Sequence, residues 1–127
     1  MGVNAQRVSA IILAGGQGTR LRHITRDKQQ KVLIKVGERP LIGYSVDLFR
    51  SIQVQRLVFC LGYHAEDVRG WIINQELSNI VEFAIDKCPG IVNAILSTMS
   101  RIPENTIVCC NGDEIRLGLN LTEVLEF

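Results

Sequence analysis

The sequence predicts an α/β fold, a parallel sheet of about four strands with flanking helices, on three observations. Short apolar runs recur at residues 8–14, 57–61, 80–85 and 107–110. Segments with helical spacing of apolar residues separate most of them. The first run breaks into Gly15-Gly16-Gln17-Gly18-Thr19-Arg20, a tight glycine-rich loop whose plainer reading is a β-turn. With 127 residues, 46% of them hydrophobic, the chain is one domain at most and able to bury a real core.

Each element has its own justification. Val8 to Ala14, with Val8, Ile11, Ile12 and Leu13, reads as a strand buried on both faces, because the apolar character is continuous and does not alternate. Residues 19–25 are expected to form a short helical turn, and residues 26–31, RDKQQK, a charged surface loop. A short apolar stretch at 32–36 precedes a turn at Gly37-Glu38-Arg39-Pro40. Leu41, Tyr44, Leu48 and Ile52, with Phe49 beside them, mark one face of a helix opened by Pro40.

Residues 57–61 form the second predicted strand, ended by Gly62. Ala65, Val68, Ile72 and Gln75 then share a helical face flanked by Trp71, and residues 80–85 form the third strand. Helical spacing returns at 91–102 through Ala94, Ile95 and Met99, and residues 107–110 form a fourth strand stopped by Asn111-Gly112-Asp113. Asn120 with Glu123 is a helix-start signature whose helix the chain scarcely enters before Phe127, so a truncated chain is expected. The whole is a Rossmann-like arrangement.

Composition excludes several classes. There are 14 basic against 13 acidic residues, a balance that gives no footprint for nucleic acid or an anionic membrane. No apolar run approaches the roughly 18 residues that span a bilayer, and residues 1–7 lack a signal-peptide layout, which points to the cytoplasm. Cys60, Cys88, Cys109 and Cys110 have no zinc-ligand spacing and are expected to remain thiols. Asn120-Leu121-Thr122 fits a glycosylation acceptor only by coincidence in such a chain.

The chemistry is expected where the strands end. In open α/β sheets ligands bind outside the carboxyl ends of the strands, near the point where strand order reverses. The glycine loop, Gly62, Pro89-Gly90 and Asp113 all follow strands and are expected at one edge. Bare glycine N–H groups with an arginine suit a phosphorylated ligand. The loop is not a Walker A motif, which needs Gly-Lys-Ser/Thr, and Leu21 stands where a dinucleotide fingerprint has its third glycine. An oxidoreductase of that kind is therefore disfavoured.

A longer pattern is more specific. Leu13-Ala14-Gly15-Gly16-Gln17-Gly18-Thr19-Arg20-Leu21, followed by Thr25, Lys31, Leu33, Val36 and Pro40-Leu41-Ile42, resembles the signature of the sugar nucleotidyltransferases, also called NDP-sugar pyrophosphorylases. Weaker similarity continues through Gly62-Tyr63-His64-Ala65 to Asn111-Gly112-Asp113, covering the front portion of such an enzyme. The resemblance implies a nucleotide-diphospho-sugar transferase fold, of which residues 1–127 are the N-terminal nucleotide-binding part without the sugar-binding half. It also implies transfer of a nucleoside monophosphate from a nucleoside triphosphate to a sugar 1-phosphate, with Mg²⁺ as cofactor. No nucleic acid or membrane partner is expected, and the oligomeric state is left open, a homo-oligomer included.

Carried over by residue, the backbone of Leu13, Ala14 and Gly15 would line base and ribose, and Gly16, Gly18 and Thr19 would cradle phosphates. Arg20 and Lys31 would be catalytic, on the pyrophosphate and the transferred phosphates. Gly90 would lie beside the base and Asp113 would hold Mg²⁺. The plainer alternatives are a helix-start charge for Arg20, a loop charge for Lys31 and turn chemistry for Asp113. His64 is expected at a helix entry, not in catalysis. The chain departs from the family's pattern twice. Gln30 stands where the family usually has proline, and Gly90-Ile91-Val92-Asn93-Ala94 stands where it typically reads Gly-Thr-Ala-Gly-Ala. The second departure leaves the base open. It also keeps a rival in view, a non-catalytic nucleotide-binding regulatory domain of the same fold.

Overall fold

The computed structural model describes residues 8–16, 26, 30–52, 54–77, 80–85, 99, 102 and 106–115. Strand β1 (Val8–Ala14) is central in a four-stranded parallel sheet of order β5-β4-β1-β6, with β4 at Arg56–Leu61, β5 at Val81–Ile85 and β6 at Thr106–Asn111. Between β1 and β4 come a 3₁₀ turn (Lys31–Leu33), a two-stranded antiparallel ladder of β2 (Lys35–Val36) and β3 (Arg39–Pro40), and helix α1 (Leu41–Arg50). Helix α2 (Ala65–Ile73) connects β4 to β5.

The chain runs outward from β1 to β4 and β5, then returns to place β6 on the other side of β1. The boundary between β1 and β6 is therefore the point where strand order reverses. Register brings the strand ends level: Ala14 pairs with Leu61 and Leu13 with Asn111, while Leu61 pairs with Ile85. All four carboxyl ends thus meet at one edge.

β1 is buried on both faces, as its predominantly apolar run predicts, and the small Ser9 is buried with the rest. Of its residues only Leu13 is partly exposed. Alternation then sorts the core. Ala10, Ile12 and Ala14 face Ile42, Val46 and Phe49 of α1 and Val68 and Ile72 of α2. Ile11 belongs instead to a second cluster with Val58, Cys60 and Ala84. Both described helices cover the first face. Fully burying an Ile, Val or Phe contributes about 1.5–3 kcal/mol, so the side chains shared by β1, β4 and α1 dominate the core.

The predicted helical face of α1 is a correction. The buried residues are Ile42, Gly43, Ser45, Val46 and Phe49, whereas Leu41, Tyr44 and Leu48 sit at its margin. Two apolar rows run along this helix with equal periodicity. Tyr44 needs a partner for its hydroxyl and finds the Val36 carbonyl at the rim, while the small Ser45 lets the helix approach the sheet. α2 follows its prediction, with Val68 and Ile72 buried. His64 is its N-cap, in the left-handed region at φ 53°, and Glu66 and Asp67 lie in its first turn, the favourable end of the helix dipole.

The surface-loop expectation for residues 26–31 also fails at its end, because Gln30 is fully buried and Lys31 opens the 3₁₀ turn. Cys60, Cys109 and Cys110 are present as thiols. The helix expected at 91–102 and the signature at Asn120 lie outside the described residues, Met99 and Ile102 apart. Among the described residues no helix is long and apolar enough to cross a membrane.

Candidate functional site

The carboxyl edge gathers three chain segments around the end of β1. Gly15 lies against the loop after β4: its carbonyl accepts from the Tyr63 N–H at 3.2 Å. A Cβ on Gly15 would stand 3.2 Å from the Gly62 nitrogen, and one on Gly62 would stand 3.0 Å from the Gly15 carbonyl oxygen. Neither backbone leaves room for a side chain. On the other flank Gly112 N–H donates to the Leu13 carbonyl at 2.8 Å, and a Cβ there would press on that oxygen at 3.2 Å and on Ile12 and Val32 at 3.3 Å. The first strand's end is thus held from both sides by close backbone approaches.

Gly16 differs. It is exposed, and a Cβ placed on it would only reach ordinary contact, 3.7 Å from Lys31 Nζ. Lys31 projects from its 3₁₀ turn over this bare backbone and pairs with Asp113, Nζ to Oδ2 3.0 Å, both side chains near 30% exposed. Asp113 follows β6 in a turn braced by Asn111, whose Nδ2 donates to Glu114 Oε1 at 2.9 Å. Ser45 Oγ of α1 donates to the Asn111 carbonyl at 3.4 Å. The result is a solvent-reachable cation and carboxylate beside exposed glycine backbone, in the crevice where strand order reverses. That set can neutralise and position an anionic ligand.

Of the residues singled out in the sequence, Lys31, Gly16 and Asp113 come together here. Leu13, Ala14 and Gly15 lie at the end of β1, with the carbonyls of Leu13 and Gly15 already engaged. Gly18, Thr19, Arg20 and Gly90 lie outside the described residues. His64 is a helix-entry residue whose Nδ1 lies 3.4 Å from Asp67 Oδ2.

Sequence reasoning missed Gln30. Its amide nitrogen donates to the Gly16 carbonyl at 2.7 Å and to the Tyr63 carbonyl at 3.0 Å. It also missed Gly112 as a packing glycine. The signal for Gln30 was its place directly before Lys31, where the family resemblance expects proline.

Residues 10–125 match the family described as the MobA-like NTP transferase domain. The bifunctional protein GlmU of Corynebacterium aurimucosum is 31% identical over 110 residues, 83% of this chain and 22% of that protein. Among solved structures, a putative glucose-1-phosphate thymidylyltransferase from Bacillus anthracis aligns with a TM-score of 0.75 at 30% identity, over 85% of this chain and 45% of that one. HddC from Yersinia pseudotuberculosis, complexed with GMP-PN, aligns with a TM-score of 0.66 at 29% identity, over 83% of this chain and 47% of that one. The chain spans about a fifth of the length of that curated relative and just under half of these solved structures.

Proposed function

The chain belongs to the MobA-like NTP transferase domain family, and on that premise we propose that it is the nucleotide-binding part of an enzyme that transfers a nucleoside monophosphate from a nucleoside triphosphate to a sugar 1-phosphate. The products are an NDP-sugar and pyrophosphate. The observation that carries this reading is the Lys31–Asp113 pair beside the bare backbone of Gly16, at the crevice between β1 and β6.

The chemistry asks little covalent work of the protein. A sugar 1-phosphate oxygen is already anionic, so no general base is required to make the nucleophile. The burden is to neutralise the triphosphate, align it for attack at the α-phosphate and stabilise the leaving pyrophosphate. In this reading Lys31 neutralises phosphate oxygens resting on Gly16, and Arg20 meets the pyrophosphate. Gly16 admits the nucleotide close to the backbone, with Gly18, Thr19 and Gly90 completing its cradle.

Asp113 fits as a ligand for Mg²⁺. Among the described residues no group of three or more acidic, histidine or cysteine side chains could hold a metal alone. Mg²⁺ is commonly bound by one or two carboxylates with waters and substrate phosphates, so one carboxylate is a sufficient share from these residues. When bound, the ion supplies charge neutralisation across the phosphates. Cytoplasmic residence and use of a diffusible sugar phosphate belong to the same proposal.

The relatives' names span different bases, thymidylyl transfer in one and a complex with GMP-PN in another, so the family alone does not choose one. The test, made on a longer chain that joins residues 1–127 to a sugar-binding half, is pyrophosphate release from ATP, GTP, CTP, UTP and dTTP with Mg²⁺ and a panel of sugar 1-phosphates. Release that needs both one triphosphate and one sugar 1-phosphate is expected. Binding of nucleotide without release from any pair contradicts transfer and favours the regulatory domain.

A further inference from the structure

We propose that Gln30 is a positioning residue: its side-chain amide clamps the loop after β1 to the loop after β4, and so fixes the backbone on which the triphosphate rests. The affinity part of this proposal rests on the nucleotidyl-transfer reading above.

The clamp is built from one group. Gln30 is fully buried, although it sits in the stretch RDKQQK. Its NH₂ has two hydrogens, and both are used, one on the Gly16 carbonyl at 2.7 Å and one on the Tyr63 carbonyl at 3.0 Å. These acceptors lie 14 and 33 residues away in sequence, one on each loop. Carbonyl oxygens only accept, so the amide cannot be reversed. Among the described residues its Oε1 is left buried with no donor. A buried acceptor without a partner is unfavourable, and nothing in apolar packing asks for it. What the position gains is a donor pair that joins two loops.

The joined parts are functional ones. Gly16 is the exposed glycine under Lys31 Nζ, and Lys31 is the next residue after Gln30. Fixing the Gly16 carbonyl therefore also fixes the start of the turn that carries the cation. The same clamp holds Tyr63, whose N–H already reaches Gly15. Proline, usual in the family here, offers no donor. Asparagine is one methylene shorter, and an ionised glutamate would set a carboxylate against two carbonyls.

The test uses Gln30→Met, which keeps an unbranched side chain of similar size and removes both donors, and Gln30→Glu, which donates a single bond only when protonated. Amide hydrogen exchange and binding of the Mg²⁺ complexes of the five nucleoside triphosphates are measured on each. Losing two bonds of modest net strength should weaken triphosphate binding by about tenfold. Exchange at Tyr63 should quicken in Gln30→Met while the β1 and β4 ladder amides stay protected. In Gln30→Glu, protection of Tyr63 should return as the pH falls, with no such trend in the wild type.

Unchanged Tyr63 exchange in Gln30→Met overturns the clamp, whatever the wild type binds. So does quickening shared equally by all ladder amides, which is the mark of a merely structural residue. If Gln30→Met does not fold, the pH trend of Gln30→Glu decides in its place. If the wild type binds no triphosphate while Tyr63 exchange responds as expected, the clamp stands and the nucleotide reading fails.

Discussion

Two adjacent glycines at the end of β1 face opposite demands. Gly15 is pressed against Gly62, where a Cβ on either would meet backbone at 3.2 or 3.0 Å. Gly16 has space, and the nearest group is the mobile end of Lys31 at 3.7 Å. The first glycine is required by packing, because two parallel strands end in loops that touch. The second is not required by any contact among the described residues, so its missing side chain leaves room for something else. One glycine-rich stretch thus serves the fold on one side and, in the proposed function, the ligand on the other.

Three substitutions and one double-mutant cycle break or sharpen that contrast. Lys31→Met should reduce turnover by about 10²–10³-fold, the usual loss when one group that stabilises developing charge is removed. Its folding free energy should move by no more than about 1 kcal/mol, because the pair with Asp113 is partly solvated. Pyrophosphate release and urea unfolding measure the two.

Gly62→Val should do the reverse. It is expected to cost about 1–3 kcal/mol in urea unfolding, through overpacking against Gly15. Gly16→Ala is the sharper case. Gly37 is the glycine with positive φ among those described, so Gly16 can accept a side chain without backbone strain. The substitution should stabilise the fold by about 0.4–1 kcal/mol while weakening triphosphate binding. A stable variant with unchanged binding would mean the space over Gly16 is idle. The smallest effect is the coupling of Lys31 and Asp113 without nucleotide, about 0.2–1 kcal/mol in a double-mutant cycle and falling with added salt.

Much of the fold was legible because its signals are local. The run Val8 to Ala14 is apolar on both faces of the strand but for the small Ser9, and burial on both faces explains that. Gly62 and Asn111-Gly112-Asp113 stop their strands by chemistry that a sequence displays. The face of α1 was not legible, since Ile42-Val46-Phe49 and Leu41-Tyr44-Leu48 are equally periodic and only the sheet decides between them. Lys31 and Asp113 were each legible from the resemblance. Their pairing was not, because 82 residues separate them and the order of β1 and β6 brings them together. Gln30 was the least legible: its charged neighbours spoke for the surface, while its two acceptors lie on loops far away in sequence.

The most direct test of the central claim is thermal stabilisation of the chain by ATP, GTP, CTP, UTP and dTTP, each with and without Mg²⁺, in wild type and in Lys31→Met. One triphosphate at a hundredfold excess over its dissociation constant should stabilise the wild type by about 2.7 kcal/mol. The shift should require Mg²⁺ and should shrink sharply in Lys31→Met. A folded wild type that no triphosphate stabilises, or a Lys31→Met variant stabilised to the same extent, would contradict the account.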